Sequence, residues 1–73
     1  MQATDIMFHI HDNLNENQQY EVESQLRNID GVIAPRFNKE HLLLIYYNLD
    51  KINSAFLLGF IKSKGYQATL VGI

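Results

Sequence analysis

His9 and His11 flank Ile10 in the run Ile6-Met7-Phe8-His9-Ile10-His11, and they are the side chains here best suited to chemistry. A neutral imidazole offers a lone pair to Zn²⁺, Ni²⁺ or Cu²⁺. In an extended strand, alternate residues point to one side, with Cα atoms roughly 6–7 Å apart. A strand would therefore bring both rings to one face, ready to share a divalent transition metal with a third ligand from a neighbour or a partner chain. The alternative use is as solvated or interfacial histidines on an open sheet face. Asp12 follows closely but out of phase. His41 stands in phase with Leu43 and Ile45, which marks it as a turn or rim residue rather than a ligand.

Other chemistries lack their residues. With no cysteine in the 73 residues, a disulfide framework, a thiolate metal site and a Cys nucleophile are all excluded. The four glycines are isolated, so none builds a phosphate loop. Ser24, Ser54 and Ser63 fall on expected helices or their caps. Glu16, Glu21 and Glu23 have surface spacing rather than that of a paired acid and base. No enzymatic activity is expected.

Composition narrows the partners. A net charge of −2 and six scattered Lys and Arg residues argue against a nucleic-acid binder, which needs a basic face. No apolar run approaches the roughly 18 residues of a membrane span. No basic segment followed by an apolar stretch opens the chain, so cytoplasm is the expected compartment. An apolar content of 47% is enough for a packed core. Residues 1–73 are expected to form a single domain.

The elements that must position the histidines follow from periodicity. Ile6, Phe8 and Ile10 alternate with Met7, His9 and His11, the pattern of a strand with one buried face. Asn15 and Gln18 have capping-box spacing, and Val22, Leu26 and Ile29 then recur at helical intervals. The spacing predicts a helix of about four turns, ended at Asp30-Gly31 by a left-handed glycine. Val32 to Phe37 reads as a strand, and Pro35 places it at a sheet edge because proline cannot donate to a ladder on both sides. Asn38-Lys39-Glu40 makes a turn, and His41 to Tyr47 is a strand rich enough in apolar residues to be covered on both faces. Asn53 or Ser54 caps a second helix ending at Gly65, and Gln67 to Val71 is a short last strand.

The order βαββαβ with right-handed crossovers implies an α+β, ferredoxin-like sandwich. Its antiparallel sheet has strand order 4-1-3-2, with both helices on one face. Strand two then falls on an edge, where Pro35 is tolerated.

With these elements in order, the chain resembles the heavy-metal-associated domains of copper chaperones and metal-pumping ATPases. Val22-Glu23, Leu26 and Gly31-Val32 match the first-helix pattern and its terminal G-V. Tyr47-Asn48 resembles the tyrosine-acid pair closing the third strand. Leu57, Ile61 and Gly65-Tyr66 match the second helix and its G-Y end. The likeness runs from about Asp5 to Val71. It implies a soft-metal site M-x-C-x-x-C in the loop entering the first helix, but Asn13, Asn15 and Gln18 occupy those positions here. Amides do not replace thiolates toward Cu(I), so no family ligand carries over.

The open sheet face is the other candidate for function. If Leu43, Ile45 and Tyr47 face the helices, then Leu42, Leu44 and Tyr46 lie opposite, joined by Met7 and Val71. A contiguous apolar patch of this kind marks an interaction site. A non-enzymatic interaction or regulatory module is expected, pairing with a second copy or another protein through Met7, His9, Leu42, Leu44, Tyr46 and Val71. A metal-binding or metal-trafficking role through His9 and His11 is the alternative. A small-molecule sensor built at the interface of paired domains is a third class, for which no residue speaks. In the second helix, Leu57 and Ile61 fit a core, whereas Phe56, Leu58 and Phe60 cannot all face inward with them.

Overall fold

A computed structural model describes residues 2–39 and 41–71. Elements follow in the order β1 (Ala3–Ile10), α1 (Glu16–Arg27), β2 (Val32–Lys39), β3 (Leu42–Asn48), α2 (Ser54–Ser63) and β4 (Ala68–Val71). The four strands form one sheet in the order β2-β3-β1-β4, the expected topology. All three pairings are antiparallel.

Alternation in the strands sorts the residues between two faces. Ile6, Phe8 and Ile10 of β1 and Leu43, Ile45 and Tyr47 of β3 are buried. They pack with Val22 and Leu26 of α1, Leu57 and Ile61 of α2, and Leu14 and Ala68. Both helices bury one stripe on this side, as their spacing predicts. Phe56 lies on the outer side of α2 and is 54% exposed, while Leu58 and Phe60 pack at the core margin.

The helix ends are specified locally. Asn15 caps α1 through Oδ1, which accepts from the Gln18 N–H at 2.8 Å, and Gln18 Oε1 accepts in return from the Asn15 N–H at 2.9 Å. Asn53 caps α2 by accepting from the Phe56 N–H at 2.8 Å. α1 stops at Arg27, earlier than its periodicity suggests, and Ile29 reaches the core from the connecting turn instead. Gly31 then adopts φ +103°, a conformation that suits glycine.

β2 forms one sheet edge, and two of its positions have no N–H available for further pairing. Pro35, opposite Ile45, has no N–H to offer. The Phe37 N–H is already taken by Glu23 Oε2 of α1 at 2.7 Å. The strand runs through Asn38 and Lys39, which the sequence assigns to a turn, and a register shift between Phe37 and Lys39 accommodates the longer span. Glu40, the last residue of that assigned turn, lies outside the described residues. Among the described residues no helix is long and apolar enough to cross a membrane.

Candidate functional site

Strand pairing fixes which residues share the open face. Met7 lies opposite Leu44 on one side and Val71 on the other, so these three form a row across β3, β1 and β4. Arg36 of β2 extends the row beyond Leu44. The next row holds Ala34, Tyr46 and Asp5; the row on the other side holds Leu42, His9 and Thr69. All six residues expected on this face from the sequence are therefore brought together. Met7, His9, Leu42, Leu44 and Val71 are half-buried and Tyr46 is 43% exposed. The result is an apolar band with Asp5 and Arg36 at its margins.

The histidines gather at one end of that band. The rings of His9 and His11 meet edge to face with centroids 4.5 Å apart. His11 lies just past the end of β1, where its Nε2 is 3.3 Å from Thr69 Oγ1. Beside them, Asp12 Oδ1 accepts from the Gln67 N–H at 3.3 Å.

His41 sits in the turn before β3, the turn or rim position expected for it. Its ring centroid lies 5.5 Å from that of His9, tilted by 33°. Its Nδ1 is 2.7 Å from the Ile10 carbonyl oxygen, and since a carbonyl only accepts, Nδ1 carries the proton. The neutral ring then keeps its lone pair on Nε2. Two backbone features hold this corner: Ile10 N–H donates to the His41 carbonyl at 2.8 Å, and His11 N–H donates to Gln67 at 2.8 Å. A shallow depression between β1 and β3 is lined by His9, Lys39, His41 and Leu42. With the side chains as they stand, no group of three or more His, Cys, Asp or Glu among the described residues is placed to hold a metal ion.

The loop entering α1 does not fit a soft metal. Asn15 and Gln18, which stand at the cysteine positions of the resemblance, bond to each other's backbone in the capping box. Their oxygens are engaged in holding the helix start, and neither supplies sulfur.

Comparison with solved structures agrees with the fold. The chain superposes on a copper binding domain from HMA7, a P-type ATPase, with TM-score 0.83 and 14% identity, covering 93% of each chain. It matches the N-terminal domain of a potential copper-translocating P-type ATPase from Bacillus subtilis in the Cu(I)-loaded state, with TM-score 0.86 and 21% identity, covering 97% of this chain and 90% of that one. It also matches oxidized MerP from Ralstonia metallidurans CH34, with TM-score 0.84 and 10% identity, covering 97% and 100%. No family model matches the sequence, and no curated protein matches it significantly. The chain has the ferredoxin-like fold of these metal-binding domains and contains no cysteine.

Proposed function

We propose that this domain is a non-enzymatic interaction module that pairs with a second copy of itself through the open sheet face. The carrying observation is the row Leu44–Met7–Val71, continuous across three strands and flanked by Leu42 and Tyr46. A solvated sheet face ordinarily carries polar residues at such positions.

A further feature favours a second copy as the occupant: the charges are self-complementary. Arg36 lies on the β2 side of β3 and Asp5 on the β1 side, one row apart. A two-fold axis running along β3 would lay Arg36 of each copy over β1 of the other, beside Asp5. An isologous interface requires this kind of self-matching patch.

Sedimentation of the wild type against Leu44→Asp tests the reading. The wild type is expected to associate in the micromolar range and the variant to stay monomeric. A wild type that remains monomeric at high micromolar concentration overturns it.

A second reading, binding of Zn²⁺, Ni²⁺ or Cu²⁺ through His9 and His11, is favoured by the contact of the two rings at 4.5 Å. Calorimetric titration of wild type and the His9→Ala, His11→Ala double variant tests it. Affinity unchanged in the double variant rejects it.

A further inference from the structure

We infer that β4 is a docking edge for an extended acidic segment of another protein, which adds to the sheet as a fifth strand bonded to Leu70 and sets a carboxylate beside Lys62. The inference goes beyond self-pairing, because it uses the edge of the sheet and leaves the open face free.

Ladder phase identifies the backbone groups at this edge. In an antiparallel pair, hydrogen-bonded and non-hydrogen-bonded positions alternate. The His11 N–H donates to the Gln67 carbonyl at 2.8 Å, one step beyond the pair formed by Ile10 and Ala68. Thr69 and Val71 keep the phase of Gln67 and turn their backbone groups toward β1. Leu70 lies between them and turns its N–H and C=O outward. β4 is the last strand in the sheet order, so among the described residues no further strand meets these groups. Leu70 is 52% exposed, and its side chain offers an apolar neighbour to an added strand.

The two edges of the sheet differ in their protection. On β2, Pro35 lacks an N–H, Glu23 holds the N–H of Phe37, and register shifts interrupt the ladder. Proline, charge and bulges are the usual guards of an open edge. The run Ala68-Thr69-Leu70-Val71 has neither proline nor charge, and its pairing with β1 is regular. Such an edge is a template for strand addition, in which main-chain bonds give affinity and side chains give specificity.

Charge selects the occupant. The depression at the start of β4 is lined by Lys62, His11 and the segment from Gly65 to Thr69, with no carboxylate among them. Asp12, beside His11 in sequence, bonds to the Gln67 N–H. Lys64 stands over the Phe60 ring at the same end of α2. Among the described residues neither Lys62 nor Lys64 has a carboxylate within ion-pair distance. A second copy would bring lysines of its own to this edge, whereas an acidic strand brings the complementary charge.

The test is NMR titration of the ¹⁵N-labelled full chain with the capped peptide acetyl-Val-Glu-Val-Glu-Val-amide. Two control peptides carry lysine in place of glutamate, or N-methyl groups on alternate amides. Binding should shift the Leu70 amide and slow its hydrogen exchange. Leu70→Pro removes an N–H that makes no bond to β1, so the fold should persist by circular dichroism while binding weakens about tenfold, the worth of one hydrogen bond. N-methylation should abolish binding without altering the protein, which keeps the test decisive if that variant misfolds. Lys62→Glu should weaken the glutamate peptide and favour the lysine peptide. Leu44→Asp, which blocks self-pairing, should bind as the wild type does, so the two readings fail separately. Shifts confined to the open face, binding indifferent to N-methylation, or no binding at millimolar peptide would each overturn the inference. Concentration-dependent shifts at Leu70 without peptide would show β4 pairing with itself, and would overturn the acidic partner.

Discussion

His41 Nδ1 donates to the Ile10 carbonyl oxygen at 2.7 Å, joining residues 31 positions apart at the corner where β1 leaves the sheet and β3 enters it. The same ring has its centroid 5.5 Å from that of His9. Three imidazoles consequently stand at one end of an apolar band, and both proposed roles of this face meet at His9.

The charges at the margins of the band should act across the interface. Asp5→Arg and Arg36→Asp are each expected to weaken self-association by about 0.2–1 kcal/mol, since exposed pairs contribute little. The double exchange should recover much of the loss, and added salt should shrink all three effects. Sedimentation at low and high ionic strength checks this.

The loop entering α1 should gain soft-metal chemistry when given sulfur. Asn15→Cys with Gln18→Cys is expected to bind Cu(I) more tightly than the wild-type loop. Thiols at a helix N-terminus are readily ionised, which favours metal binding. The same change dismantles the capping box. Asn15→Ala alone should cost about 0.5–2 kcal/mol, measured by urea denaturation.

Two glycines should respond in opposite directions. Gly31 has φ +103°, and a Cβ there would lie 3.0 Å from Ile52 Cγ2 and from Lys51 Cβ. Gly31→Ala is therefore expected to destabilise by about 1–3 kcal/mol. Gly59 sits within α2 with nothing within 4 Å of such an atom. Gly59→Ala should stabilise by about 0.5–1 kcal/mol through helix propensity. Thermal unfolding of both variants checks the pair.

Core truncation should be severe in so small a domain. Leu26 and Leu43 are fully buried. Each change to alanine is expected to cost about 2–5 kcal/mol. A domain of this size has a small margin, so partial unfolding at ambient temperature is the expected readout by circular dichroism.

Most of the fold was legible because short-range signals agreed with one another. The alternation at Ile6, Phe8 and Ile10, the Asn15–Gln18 box and the edge position of Pro35 each rest on local stereochemistry, and each appears as expected. The strand order followed from chirality and from Pro35 together. Element ends were less legible. α1 stops at Arg27 while Ile29 reaches the core from a turn, something periodicity cannot distinguish from another helical turn. β2 continues to Lys39 through a register shift that leaves no mark in residue type. On the open face, Met7, Leu42, Leu44, Tyr46 and Val71 were legible from strand phase alone. His41 was legible as a turn or rim residue, but its bond to Ile10 was not, because that bond depends on how β1 and β3 are brought together.

The most direct test of self-association is an isotope-filtered NMR experiment on mixed labelled and unlabelled wild-type protein at high micromolar concentration. The predicted result is intermolecular contact between the Leu44 methyl groups of one copy and Met7, Tyr46 or Val71 of the other. Rotational diffusion of a single 8.5 kDa chain, with no intermolecular contact from Leu44, would contradict it.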